Sequence, residues 1–133
     1  MIKKTAELLH AWMRSLAMRI PALLANRLIR WRFPSVEQRS AGSLLFAGSG
    51  DRRSFIDVRG MSTATVHGHV ATFRRQQPDA RVVLVCDIGY CSAKAAAGLL
   101  RSGCSNVVNL EGGLRALRQL HHDIDDYAAQ RTA

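Results

Sequence analysis

The pattern of apolar and polar positions divides the chain at Phe33-Pro34-Ser35. Before that point Leu9, Trp12, Met13, Leu16, Ile20, Leu23 and Leu24 recur at helical spacing. They predict an amphipathic helix, broken or kinked at Pro21. After it, apolar residues gather in short runs bounded by turn residues. Residues 36–46 predict a short helix with Ser35 as N-cap and Gln38 near the first turn. Residues 47–53 are loop by composition. Phe55-Ile56-Asp57-Val58 predicts a short strand. Residues 64–70 fit either an interrupted strand or a loop, and on a strand His67 and His69 would share a face. Residues 70–77 predict a short helix ended by Pro78.

Val82-Val83-Leu84-Val85 runs into Cys86 and predicts a buried strand. A short loop, 87–91, leads to Ser92 and an Ala-rich helix over 93–100. Gly103 is a natural residue just past that helix. Residues 106–110 predict another buried strand, Gly112-Gly113 a turn, and 114 to about 120 a last helix. The tail from Ala128 is expected to fray. Strands alternating with helices, with near-continuous apolar strands at the centre, argue for an α/β fold. The expected form is a small parallel sheet flanked by helices on both faces, with an N-terminal amphipathic helical extension. The expected organisation is an extension over 1–32, a domain over 33–127 and a tail over 128–133.

Composition narrows this picture. At 133 residues the chain has room for one core and an extension. Its 47% apolar content excludes a disordered chain. The net charge of +9 points to an anionic partner or to solubility alone. Most of that charge lies in residues 1–32, where seven basic residues face one acid, Glu7, for a net +6. Arg14 and Arg19 interrupt any signal-peptide core. Three readings of this segment stay open: an accessory helix packed on the domain, a helix lying on an anionic membrane, or a transit peptide. The expected partner of residues 1–32 is therefore an anionic membrane surface or a protein, with no specific nucleic acid. No apolar run is long enough to cross a bilayer. Cys86, Cys91 and Cys104 match neither a zinc spacing nor a paired disulfide framework, so reduced thiols and a cytoplasmic, membrane-peripheral setting are expected. His67 and His69 lack a third ligand, and His121-His122-Asp123 with Asp125-Asp126 fit a solvated helix end. No metal and no cofactor is expected.

The candidate chemistry sits in residues 82–92. A loop between a strand end and a helix N-terminus presents backbone N–H groups and partial positive charge to an anion. A cysteine there has its thiolate stabilised. Gly89 permits the turn. Cys86 is thus a candidate nucleophile, with the alternative that it is a small buried hydrophobe. Asp57, near a strand's carboxyl end, lies on the expected ligand edge. Its alternative role is to tie the following loop.

Three stretches together resemble the rhodanese family of single-domain sulfurtransferases, over about 34–120. Phe-Ile-Asp-Val-Arg (55–59) is similar to a family strand ending in Asp-x-Arg. Residues 82–92, followed by Ala-Lys-Ala-Ala, are similar to the active-site loop and its helix. Residues 106–114 are similar to the last strand and Gly-Gly turn. The resemblance implies that Cys86 carries a sulfane sulfur as a persulfide. The donor would be a small sulfane-sulfur compound and the acceptor a thiol or cyanide. The loop of Asp87, Ile88, Gly89, Tyr90, Cys91 and Ser92 would cradle the persulfide, supported by Asp57 and Arg59. Two positions depart from the family loop: Cys91 stands where an Arg is usual, and Asp87 where a basic residue is common. An added unit charge at a few ångströms is worth on the order of 1–4 kcal/mol, which opposes an anionic donor. The Gly-His-Ile-x-Gly-Ala stretch of most members is vestigial around Gly68-His69-Val70, and an edge strand is expected to be reduced or missing. The loop is one residue shorter than that of the related phosphatases. The alternatives are a non-catalytic rhodanese-like binding or regulatory module, and a dithiol redox switch formed by Cys86 and Cys91.

Overall fold

In the computed structural model, which describes residues 2–45 and 53–132 (side chains of 4–44 and 53–123), the apolar run before Cys86 forms the central strand β3 (Arg81–Val85). Strands β1 (Glu37–Arg39), β2 (Arg53–Asp57) and β4 (Val107–Leu110) join it in the order β1-β4-β3-β2, all parallel. Parallel neighbours require crossovers. These are α3 (Ala41–Leu45), α4 (Thr63–Gln76) and α5 (Tyr90–Arg101), with α6 (Gly113–Thr132) closing the domain. The strand period of two sends Val82, Leu84 and then Cys86 into one core layer. Val83, Val85, Val108 and Leu110 enter the other, against Ala41, Leu44 and α6. Both faces of β3 and β4 are covered, which is why their sequences show no polar alternation.

The basic segment forms two helices, α1 (Ile2–Arg19) and α2 (Ala22–Arg32), separated at Pro21 as the sequence predicts. The Pro21 carbonyl accepts the Ala25 N–H and starts the second helix. Met13 and Ala17 of α1, with Ala25 and Ile29 of α2, are buried in the core layer that contains Cys86. Burying Met13 and Ile29 stabilises this arrangement by roughly 1.5–3 kcal/mol each. The opposite face is uncovered: Leu8, Trp12, Leu23 and Trp31 are all more than 60% exposed. Among the described residues, no helix is long and apolar enough to cross a membrane.

Several local expectations are corrected. Residues 36–46 do not form one helix. Glu37–Arg39 pairs with β4 as strand β1, because β4 needs a partner on that side and pairing overrides weak helix propensity. The helix begins only at Ala41, where the Ser40 hydroxyl, not Ser35, accepts the Ser43 N–H. Most of the predicted 47–53 loop lies outside the described residues. Residues 63–76 are one helix, opened by Ser62, whose hydroxyl accepts the Thr65 N–H. Gly68-His69-Val70 is therefore helical, and His67 and His69 point roughly 200° apart instead of sharing a face. Helix α6 continues to Thr132, well past Leu120 and through the tail expected to fray. The described sheet has four strands with β2 at its edge, and the chain passes from β2 almost directly into α4.

The Gly112-Gly113 turn fixes α6 against the loop after β3. The Leu114 and Arg115 N–H groups donate to the Cys86 and Asp87 carbonyls at 2.8 and 3.0 Å. Gly113 has φ +58°, and a Cβ there would land on the Cys86 carbonyl oxygen and 2.8 Å from the Asp87 carbonyl carbon. Gly103 also has positive φ (+88°) but faces open space. Gly113→Ala is therefore expected to destabilise the protein by at least about 3 kcal/mol, combining left-handed strain with a backbone clash. Gly103→Ala should cost about 1–2 kcal/mol from strain alone. Urea denaturation of both variants checks this; equal losses would contradict the close approach at Gly113.

Candidate active site

Cys86 leaves β3 at its carboxyl end and is 3% exposed. The chain turns through Asp87, Ile88 and Gly89, whose φ of +92° opens α5. Gly89 has little room for a side chain: a Cβ there would stand 3.2 Å from both the Gly112 nitrogen and the Leu110 carbonyl oxygen. The turn aims donors at one atom. The Cys86 Sγ accepts the Gly89 N–H at 3.2 Å and the Ser92 N–H at 3.4 Å, and lies 3.2 Å from the Ser92 hydroxyl. The start of α5 adds partial positive charge.

These contacts hold the Cys86 thiol well below its ordinary pKa. The largest cause is a hydrogen bond from the Cys91 thiol, opposed by burial and reinforced by the Ser92 hydroxyl and the two N–H groups. Cys91 moves the other way: its hydrogen bond to Cys86 and its burial keep it protonated, against the pull of Arg14. The two thiols thus have different surroundings: backbone N–H groups face Cys86, and the Arg14 guanidinium faces Cys91.

The remaining predicted residues divide by direction. Ile88 and Tyr90 turn inward and are buried. The Tyr90 hydroxyl lies 2.7 Å from His10 Nδ1, and its ring meets Phe33 edge-on at 5.4 Å. Ser92 is fully buried and donates to Asn109 Oδ1. Asp87 is exposed at the rim of the cavity that Cys86 lines and pairs with Arg59 at 3.5 Å, which offsets its charge. Asp57 takes the loop-tying role. Its carboxylate accepts the Arg59 backbone N–H at 3.1 Å and the Arg59 guanidinium at 2.8–3.0 Å. That pairing lowers the Asp57 pKa. Arg59 reaches the cavity beside Cys86, and Asp57 stands behind it.

That cavity measures about 650 Å³ and is lined by Arg14, Met18, Arg59, Met61, Cys86 and Cys91, among others. A second hollow of similar size, between β2 and α4, is lined by Ile56, His69 and Phe73 and contains no cysteine. Among the described residues, no three His, Cys, Asp or Glu side chains gather as a metal site.

Sequence reasoning missed two residues here. Asn109 is fully buried in β4, accepts from Ser92, and donates to the Gly89 carbonyl at 3.0 Å and to Gln38 at 2.7 Å. It ties the loop to two strands. The signal was present: a lone amide inside Val-Val-Asn-Leu has to find partners when buried. Arg14 gave no local signal, because only the packing of α1 carries it to a loop 77 positions away.

A family model described as Rhodanese-like domain matches residues 60–120. Over these residues the chain is similar to a rhodanese-like domain. The match spans α4, β3, the Cys86 loop, α5, β4 and the first part of α6. It leaves out α1, α2, β1, α3 and β2, so Arg14, Asp57 and Arg59 are features of this chain outside the matched region. No curated protein matches the chain. Within the rhodanese-like domain, the loop geometry predicts that Cys86 reacts as a thiolate at neutral pH. A lowered thiol pKa keeps the anion populated above it and loses it only as pH falls through it. The rate of Cys86 alkylation by iodoacetamide should therefore be flat near neutrality, with its inflection well below the ordinary thiol value of about 8.5. Peptide mapping after quenched labelling at a series of pH values measures it, and an inflection at or above the ordinary value would contradict the donor array.

Proposed function

We propose that this chain is a sulfurtransferase that carries a sulfane sulfur on Cys86. The observation that supports it best is the convergence of the Gly89 N–H and the Ser92 N–H on the Cys86 sulfur, beside an open cavity. In the first step the thiolate attacks the sulfane sulfur of a donor such as thiosulfate. A Cys86–sulfur bond forms, the donor's sulfur–sulfur bond breaks, and sulfite leaves with the electron pair. The negative charge then rests on the outer sulfur of the persulfide. In the second step a thiolate or cyanide attacks that outer sulfur, forming a new bond to it and returning the electron pair to Cys86 as thiolate. No net proton is required in either step with cyanide as acceptor. The donor array that favours the thiolate also favours it as a leaving group.

A second reading is a non-catalytic rhodanese-like module that binds or regulates. It is favoured by the 3% exposure of Cys86, which restricts the approach of a donor. The facing thiols of Cys86 and Cys91 keep a dithiol redox switch as a related third reading. Cyanide-dependent thiocyanate release separates the first two. Wild type is expected to exceed Cys86→Ser by more than about a hundredfold. Thiosulfate treatment without acceptor should add one sulfur atom to the peptide containing Cys86. Equal thiocyanate release from wild type and Cys86→Ser, with no added sulfur, would favour the module.

A further inference from the structure

The family's loop arginine is a cysteine here, yet the cavity is not without a free positive charge. Arg14, on the fourth turn of α1, lines it, and its Nη1 lies 3.9 Å from the Cys91 Sγ. Cys91 occupies the position where the resemblance places the loop arginine. The guanidinium therefore arrives at the same neighbourhood from a different element. The other cation of the cavity, Arg59, is held by two carboxylates, Asp57 at 2.8 Å and Asp87 at 3.5 Å. Arg14 forms no ion pair with a carboxylate among the described residues. It is held in place by its helix: two neighbours on α1, Met13 and Ala17, are buried. His10, one turn earlier, meets the Tyr90 hydroxyl at 2.7 Å, on the first residue of α5.

We propose that Arg14 is the anion-recognising residue of the Cys86 site, supplied by α1 to select negatively charged sulfur donors over neutral ones. The reading of Cys86 as a sulfur carrier names the donor, but attraction of an anion to the cavity can be tested without it. Arg14 is outside the matched domain, so α1 completes the site instead of merely covering it.

The test compares two alkylating agents on the full chain, anionic iodoacetate and neutral iodoacetamide, reading modification of Cys86 by peptide mapping. Arg14→Gln is expected to lower the iodoacetate-to-iodoacetamide rate ratio by about three- to tenfold, the size of one partly screened charge at this range. Any change in the Cys86 pKa or in folding acts on both reagents and cancels in the ratio. Arg14→Lys should restore most of the wild-type ratio, and raising salt should lower the wild-type ratio toward that of Arg14→Gln. For thiosulfate, Arg14→Gln should raise KM more than it lowers kcat. A ratio unchanged in Arg14→Gln overturns the proposal, whatever happens to turnover. A lowered ratio in a protein that never forms thiocyanate upholds the proposal and removes the sulfurtransfer reading.

The uncovered side of the same helices carries a separate property. Leu8 and Trp12 lie one turn apart on α1; Leu24 and Trp31 lie two turns apart on α2; all four are exposed. Residues 1–32 carry a net +6 around them. Aromatic and leucine side chains flanked by cations fit the headgroup boundary of an anionic bilayer. From this face we infer that α1 and α2 dock the chain on an anionic lipid surface. Co-sedimentation of the full chain with phosphatidylcholine vesicles, with and without phosphatidylserine, tests it. Binding should require phosphatidylserine, weaken with salt, and fall about tenfold in the double variant Trp12→Gln, Trp31→Gln. Lack of binding, or binding insensitive to the double variant, overturns the inference. So does a dimer, seen by sedimentation equilibrium, that buries the two tryptophans.

Discussion

A thiolate at 3% exposure is tolerable only where hydrogen bonds replace the water it has lost. At Cys86 the replacements come from the start of α5: the Gly89 and Ser92 backbone N–H groups, both within 3.4 Å of the sulfur. Their aim depends on the left-handed conformation of Gly89, which turns the chain from β3 into α5 in three residues. The same turn brings the loop carbonyls against α6, whose Leu114 and Arg115 N–H groups find no acceptor in their own helix and donate to the Cys86 and Asp87 carbonyls instead. Loop and helix ends thus satisfy each other: the start of α5 serves the sulfur, and the start of α6 serves the backbone that carries it.

Beneath this arrangement Asn109 acts as a fixed post. Its strand neighbours are apolar, and its amide is fully buried, so each polar atom has to be matched. It is matched by Ser92, Gly89 and Gln38, residues of the helix, the loop and β1. This explains why β1, only three residues long, matters to the site. It covers the edge of β4 and supplies the Gln38 oxygen that holds Asn109 in the orientation Ser92 needs. The Ser92 hydroxyl, fixed by Asn109 on one side, stands 3.2 Å from the Cys86 sulfur on the other.

The central strands and the turn at Gly89 that holds Cys86 were legible because the signals are local. A four-residue apolar run, a glycine and a small-residue helix start occupy eleven consecutive positions. The break at Pro21 was legible for the same reason. What was not legible is set by distance. β1 is a strand because β4 requires an edge partner some seventy residues away, and no run of three residues announces that. The segment 63–76 mixes threonine, histidine and valine, whose strand-like preferences lost to a Ser62 cap and the packing of Val66 and Val70. Asp87 looked like a charge against the sulfur because sequence gives position without direction. Its pairing with Arg59 at the cavity rim offsets that charge.

The charge pattern around the cavity has a consistent logic once direction is known. Asp57, Arg59 and Asp87 form a nearly closed set, two carboxylates on one guanidinium, and this set shapes the rim through the turn at Gly60 without presenting free positive charge. Without α1, an anion entering the cavity would meet that set and Cys86, with the Arg59 charge already paired. Helix α1 changes the balance. Its buried face is small, built on Met13 and Ala17 with Ala25 opposite on α2, so the helices approach closely enough for Arg14 to reach the cavity and His10 to reach Tyr90. One segment therefore carries three consequences of one amphipathic pattern. Its inner face completes the core, its flank brings Arg14 to the cavity beside Cys86, and its outer face exposes leucine and tryptophan. A change in how that outer face is occupied would act on the helix that carries Arg14, and so on the charge nearest Cys91.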